Sequence, residues 1–335
     1  MTPSFGRLTS SISVAFALLA ACAAPQSQVP RALSEYTETG SSADRTELHG
    51  QQRSWMSPDA SRQSRLLYVS DDSDNDLYVF SLPGGKLVGT ITGFLGLAGV
   101  CSDAKGNVFA VDYQNASIKE YRHGGNEPIA VLNDPNATPL SCSVDRSTEN
   151  LAVTNQITTV SGATEPGDVA IYSKAQGTPQ TLYDANMVYV SFDSYDSAGN
   201  LYVSGVAPSY QDSTFAVLDK GGTKLKDLTL NQAFCCDQSS AVQWDGQYLA
   251  VANETGDETY QFSIKGTGGM EVGTTTLAAT SRIFGFWIQS HNLYAPVVSN
   301  GQPMLGFYAY PGGGQPTKSL FGFASAFAAT VSLRP

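Results

Sequence analysis

The chain has 335 residues, 41% of them hydrophobic, with 19 Lys and Arg against 30 Asp and Glu and a net charge of −11. That length holds one large domain or two modest ones. The acidic balance, with no block of basic residues to displace phosphate counterions, argues against nucleic acid as a partner and would repel a bare anionic bilayer.

The first elements lie outside any fold. MTPSFGR carries one Arg, and the apolar run ISVAFALLA is too short to span a membrane as a mature helix, so residues 1–21 read as a signal peptide. The run closes on LAAC. This resembles a bacterial lipobox, with Leu19, Ala20 and Ala21 before Cys22. The resemblance implies that Cys22 is lipidated and becomes the new N-terminus. The chain would then be anchored to a membrane of the bacterial cell envelope, facing periplasm or exterior; a plain signal peptide cut elsewhere is the alternative. Residues 22–65 hold few large apolar side chains and cannot bury enough area to offset ordering. They read as a disordered tether that keeps residues 66–335 within a few tens of Å of a surface.

From residue 67 one unit recurs. A short apolar strand appears as LYVS, VFAV, LAVT, LYVS, LAVA and LYAP, with starts 41, 43, 50, 48 and 44 residues apart. A second strand follows each one, among them LYVF, SIKEY and MLGFYAY, then a glycine or proline turn such as SLPGGK or RHGGNEP. A further strand such as KLVGTI or PIAVL completes the unit, and the next begins with an inner strand before a polar turn, as in LAGVCSDAKGN. The period is that of propeller blades. The first unit lacks an inner strand, and the chain ends in an unpaired one, ASAFAATVSL (324–333). Ring closure removes both defects, which predicts an all-β, six-bladed propeller of four-stranded antiparallel blades. The 50-residue interval holds the insertion 156–167, expected as a long loop on one face. Recurring aromatics such as Tyr68, Tyr78 and Tyr308 fit core packing between blades.

SDAKGNVFAVDYQNASIKEY and YDSAGNLYVSG resemble NHL-type and SMP-30 (gluconolactonase-like) propellers, with a D-x-x-G-N turn ahead of an apolar strand. The second copy has Gly205 where the first has Asp112. The resemblance covers about 265 residues at fold level, and such folds host hydrolases, lyases and interaction modules alike.

Just past the repeated strand stands a ring of related positions, Asp71, Asp112, Asn155, Gly205, Asn253 and Val297. The lactonases of the resembled family hold a divalent metal near the axis with oxygen ligands, which implies Asp71, Asp112, Asn155 and Asn253 as candidates for Ca, Mg or Mn. Asx at a strand end also caps its own turn. DDSDND adds Asp72, Asp74 and Asp76, resembling the opening of a calcium loop without its later Gly and Glu. Asp193, in an inner strand, Asp196 and Asp237 are further carboxylates near a channel mouth. Histidine is nearly absent, with His123 and His291 both in turns, so the sequence gives little support for His-based catalysis; apart from a candidate divalent cation (Ca, Mg or Mn) it points to no cofactor. Cys101 and Cys142 precede corresponding turns of adjacent blades and form a candidate disulfide. Their one-residue offset leaves side-chain direction open. Cys235 and Cys236 are a second candidate pair. The preferred function is a tethered, monomeric binding module presenting loops to a protein or saccharide. The alternative is a metal-dependent hydrolase of a small ester or lactone.

Overall fold

The computed structural model describes residues 53–234 and 240–335. Cys22, Cys235, Cys236 and Asp237 lie outside the described residues, as do the signal peptide and most of the tether.

Six β-sheets form a propeller. Its ring closes as the repeat pattern predicts. The C-terminal strand Ala326–Leu333 runs antiparallel to Arg65–Asp71, from Leu333 opposite Arg65 to Ala326 opposite Asp71. Blade 1 continues outward through Asp76–Ser81 and Lys86–Ile91. Blade 2 is Leu97–Ser102, Val108–Asp112, Ser117–Tyr121 and Pro128–Asn133. Blade 3 is Ala137–Val144, Leu151–Val160, Ala163–Tyr172 and Gln180–Leu182. Blade 4 is Tyr189–Tyr195, Leu201–Val206, Ser213–Leu218 and Lys226–Asp227. Blade 5 is Val242–Trp244, Leu249–Ala252, Glu258–Lys265 and Gly268–Thr276. Blade 6 opens with Arg282–Ile283 and Trp287–Gln289, then Asn292–Ser299, Gln302–Ala309 and Gly313–Leu320.

The D-x-x-G-N sequence makes the same turn twice. Asp103 accepts hydrogen bonds from the amides of Lys105 (2.8 Å) and Asn107 (2.7 Å) and from the Asn107 side chain. Asp196 does the same for Ala198, Asn200 and the Asn200 side chain. Gly106 takes φ +80°, and a Cβ there would also strike the Leu333 carbonyl, so the turn needs glycine both for its backbone and for its seat against blade 1.

Side chains alternate across each inner strand, so consecutive residues reach opposite neighbouring blades. Ser102 points to blade 1 and bonds Thr330 Oγ1 at 3.0 Å, while Cys101 points to blade 3 and forms a disulfide with Cys142, Cα atoms 5.7 Å apart. Ser143 then reaches blade 4, donating to Asp193 Oδ2 at 2.5 Å. Ser194 accepts the Trp244 amide of blade 5 at 2.9 Å, and Gln243 Oε1 accepts the Ile288 amide of blade 6. Gly285 N–H donates to the Phe327 carbonyl of blade 1, which completes the circuit. Two cysteines on facing blades must point out of opposite sides of their own sheets. The one-residue offset is what supplies that geometry. Aromatic side chains fill the gaps between blades, with Tyr68, Tyr78, Phe109, Tyr172 and Tyr308 fully buried.

Four stretches depart from the sequence reading. Trp55–Met56, expected in the tether, adds a fifth strand to blade 1 opposite Thr90 and Gly89, so the fold begins before residue 66. Two apolar residues give no periodicity, and only the exposed edge they cover gives them structure. The insertion 156–167 is not a loop but the far half of a hairpin, Leu151–Val160 with Ala163–Tyr172, turning at Ser161 and Gly162. The outer strand of blade 4, expected as one strand over residues 224–230 (KLKDLTL), divides: Lys226–Asp227 closes blade 4, while Thr229–Leu230 crosses to lie parallel to Gly268 and Gly269 of blade 5. The inner strand of blade 6 breaks at Phe284–Gly285–Phe286, where the chain bends to touch blade 1.

Candidate functional site on the loop face

The propeller has two faces. One carries the inner-to-second and third-to-outer turns, here the turn face. The other carries the second-to-third loops and the loops entering each inner strand, here the loop face.

The ring of strand-end residues lies on the loop face, and each polar member is engaged within its own blade. Asp71 Oδ1 accepts the amides of Ser73 (3.2 Å), Asp74 (3.1 Å) and Ser325 (3.0 Å), and Oδ2 accepts that of Ala324 (2.7 Å). Asp112 accepts the amides of Leu95 and Gly96 at 3.2 and 3.0 Å, the Asn115 amide group at 2.7 Å and Lys119 Nζ at 2.9 Å. Asn155 Nδ2 donates to Asp134 Oδ2 at 2.9 Å and Asp168 Oδ1 at 2.7 Å. In all three the side chain grips the loop that enters the inner strand of the same blade. At Gly205 the entering chain comes so close, with Tyr189 O and Met187 where a Cβ would stand, that backbone replaces the side chain. This accounts for the second D-x-x-G-N copy lacking the Asp. Asn253 Oδ1 accepts Thr255 Oγ1 at 3.4 Å within its own turn. Val297 is buried opposite Ile283. Among the described residues no group of three His, Cys, Asp or Glu side chains is arranged to hold a metal ion.

Asp72, Asp74 and Asp76 surround Asp71 at the tip of blade 1. Burial pushes the Asp71 carboxyl up to about 8, the Asp74 and Asp72 charges add to it, and the amides of Asp74 and Ser325 pull against it. Burial also raises Asp72 to about 6, with Ser325 and then Arg282 opposing. Arg282 forms an ion pair with Glu254 at 2.6 Å and lies over the Phe284 ring. Asp193, in the junction between blades 3 and 4, is raised by burial to about 7. His123, on the turn face, is bonded through Nε2 to the Gln63 carbonyl and through Nδ1 to Ser332 Oγ. Burial holds it below its ordinary value.

Asp134 and Asp168 were not singled out in the sequence, although a signal was present. Counting outward from the two-residue turn at Ser161 and Gly162 places Asn155 opposite Asp168.

The loop face is acidic and studded with apolar tips. Asp72, Asp74, Asp76, Glu165, Asp212 and Asp257 lie in its loops. Its basic groups Lys119 and Arg282 are ion-paired with Asp112 and Glu254. The other basic residues described, apart from Arg53 and Lys318, fall in or beside the turns and chain segments of the opposite face, among them Arg62, Lys86, Lys105, Arg122, Lys174 and Lys265. Of the large hydrophobic side chains left exposed, Leu95 (58%), Phe321 (50%), Tyr183, Tyr210 and Val160 belong to the loop face. Ile129, Val131, Met270 and Val272 lie on outer strands of blades 2 and 5.

No family model matches the chain, and no curated protein does. Solved structures do. A chain from the crystal structure of a nidogen/laminin complex superimposes with a TM-score of 0.61 at 14% identity, covering 81% of this chain and 99% of that one. A protein of unknown function from Bacteroides caccae gives a TM-score of 0.57 at 11% identity, with the same coverage. At these identities the likeness concerns the fold.

Proposed function

We propose that this chain is a protein-binding propeller held at the bacterial cell envelope through a lipid on Cys22, with its loop face as the docking surface. The observation that carries the reading is that five exposed apolar side chains gather on a face that also carries carboxylates and from which most of the described basic residues are absent. Scattered exposed hydrophobics mean nothing singly, but five of them on the loops of one face, beside that face's carboxylates, favour an interaction surface there. The partner it fits presents basic side chains around apolar ones. The fold itself is compatible with such work, since one of its structural neighbours comes from a nidogen/laminin complex. The fold-level resemblance to NHL-type and SMP-30 propellers belongs to the same reading. Hydrolysis of a lactone through an axial metal has less to stand on, because the carboxylates of Asp71 and Asp112 and the Nδ2 group of Asn155 are each engaged inside their own blade rather than across the channel.

The test is capture of envelope proteins on immobilised full-length chain, with wild type, Leu95→Glu/Phe321→Glu on the loop face and Lys86→Glu/Arg122→Glu on the turn face. The expected outcome is a partner retained by wild type and the turn-face variant, lost with the loop-face variant and weakened by 0.5 M salt, roughly as screening over a few Å requires. A partner that tolerates the loop-face changes and is lost with the turn-face ones overturns the assignment.

A further inference from the structure

At the root of the blade 3 hairpin, three oxygen-bearing side chains from three chain segments meet. Asn155 ends the regular part of the second strand, Asp168 stands opposite it in register on the third, and Asp134 belongs to the loop entering the inner strand. Their residues are 0%, 4% and 8% exposed. The groups that act on the two carboxyls are Asn155, Tyr172, Tyr183 and, on Asp168, the charge of Asp134; no Lys, Arg or His is among them. Elsewhere on this face Asp112 and Glu254 have a cation beside them, Lys119 and Arg282, and the buried Asp71 carboxyl accepts four backbone amides; Asp134 and Asp168 have neither kind of compensation among the groups that act on them. Two buried carboxylates without a counter-charge are costly.

A second observation is independent of that cluster of charge. Asn155 Oδ1 is buried and has no hydrogen-bond partner, so the amide in the middle of the cluster is half unsatisfied. The two ends of an amide have the same shape. Turned over, the oxygen takes the place of Nδ2, 2.9 Å from Asp134 Oδ2 and 2.7 Å from Asp168 Oδ1. A spacing of about 3 Å between oxygens is what a hard cation bound at about 2.1–2.5 Å produces around itself.

We infer that Asp134, Asn155 and Asp168 form a binding site for a divalent cation of the Ca²⁺ or Mg²⁺ class, with water completing its shell. Without the ion, the two N–H groups of Asn155 hold the carboxylates in position; with it, the amide presents its oxygen and the charge of the pair is neutralised. All three ligands come from one blade, unlike the expected ring drawn from several blades. The ion ties the entering loop to both strands of the long hairpin, so it braces the part of blade 3 that extends farthest from the loop face. Tyr183, 60% exposed and hydrogen-bonded to Asp168, marks the side from which the site is reached.

The experiment uses full-length protein stripped with chelator and titrated with CaCl₂ and, separately, TbCl₃. Tyr172 and Tyr183 adjoin the carboxyls and serve as donors for sensitised terbium emission. Expected are terbium emission displaced by Ca²⁺ and a Ca²⁺-dependent rise in melting temperature, with affinity falling at least tenfold in Asp168→Asn. Asn155→Asp separates a cation site from a hydrogen-bonded cluster. A third carboxylate tightens Ca²⁺ binding in the first case, and its folding is rescued by the ion; in the second it only destabilises. No sensitised emission and no Ca²⁺ effect on melting would overturn the proposal. So would an Asn155→Asp variant that Ca²⁺ does not rescue, or binding that survives Asp168→Asn and is lost in Asp74→Asn.

Discussion

A carboxylate at the end of the second strand has two directions open to it, across the channel toward its counterparts or down into the loop that enters its own blade. Asp71 takes the second, and the four amides it accepts, from Ser73, Asp74, Ala324 and Ser325, belong to both sides of the ring closure. Removing the side chain strands those donors in a buried site. Asp71→Ala is therefore expected to lower unfolding stability by about 3 kcal/mol, while Asp71→Asn, which keeps one acceptor and suits a carboxyl already held partly neutral by burial, costs about 1 kcal/mol. Urea unfolding of both variants at pH 7 reads the difference. Equal losses would mean that the charge, not the acceptor geometry, is what the site uses. The sequence placed this ring of positions correctly, since it follows from counting along repeated strands. It does not fix which way the side chains turn. That depends on how close the entering loop passes, as Gly205 shows by leaving no room for any side chain.

At the scale of strands, the parts legible in the sequence are those that carry their own periodicity. The second and third strands of every blade alternate and end at glycine or Asx turns, so their positions follow from the chain alone, as does the closing strand that lacks a local partner. The parts that were not legible owe their structure to an edge provided by something distant. Trp55–Met56 covers the outer edge of blade 1, Thr229–Leu230 leaves its own blade for the next, and Gly285 interrupts a strand to reach Phe327. The circuit of contacts between inner strands suggests where stability is concentrated. Its one covalent member among the described residues, Cys101–Cys142, closes a span of 41 residues between adjacent blades. Chain entropy assigns such a loop about 4 kcal/mol, with measured values commonly nearer 2–4 kcal/mol. Cys101→Ser/Cys142→Ser is expected to unfold at lower urea by that amount with the fold retained, because the other five junctions keep their noncovalent ties. Loss of all ordered structure in the double variant would show instead that the remaining contacts cannot hold the ring.

Over the whole molecule the acidic excess is not spread evenly, and its most consequential members are buried. Asp71, Asp193, Asp72 and Asp168 are all pushed up by burial, to about 8, 7, 6 and 6. In each case the folded value lies above the unfolded one, so the folded protein holds more protons between pH 4 and 8 than the unfolded chain does. Stability from these groups is full below about pH 4 and is lost as pH rises through 6 to 8. Two groups work in the opposite sense. His123, kept neutral by burial, loses stability as pH falls below its unfolded value, and Asp145 is lowered by the hydroxyls of Thr148 and Ser147 and the Ser147 amide acting against its burial. The balance puts the optimum on the acid side of neutrality. In chelator, the melting temperature is expected to be higher at pH 5.5 than at pH 8 by roughly 5 °C or more. Ca²⁺ should shrink that gap, because an ion between Asp134 and Asp168 favours their charged forms and removes one of the buried groups that oppose high pH. A melting temperature that rises steadily from pH 5.5 to 8 without added metal would mean that these carboxyls are ionised at little cost in the fold, with the amide donors around Asp71 outweighing its burial.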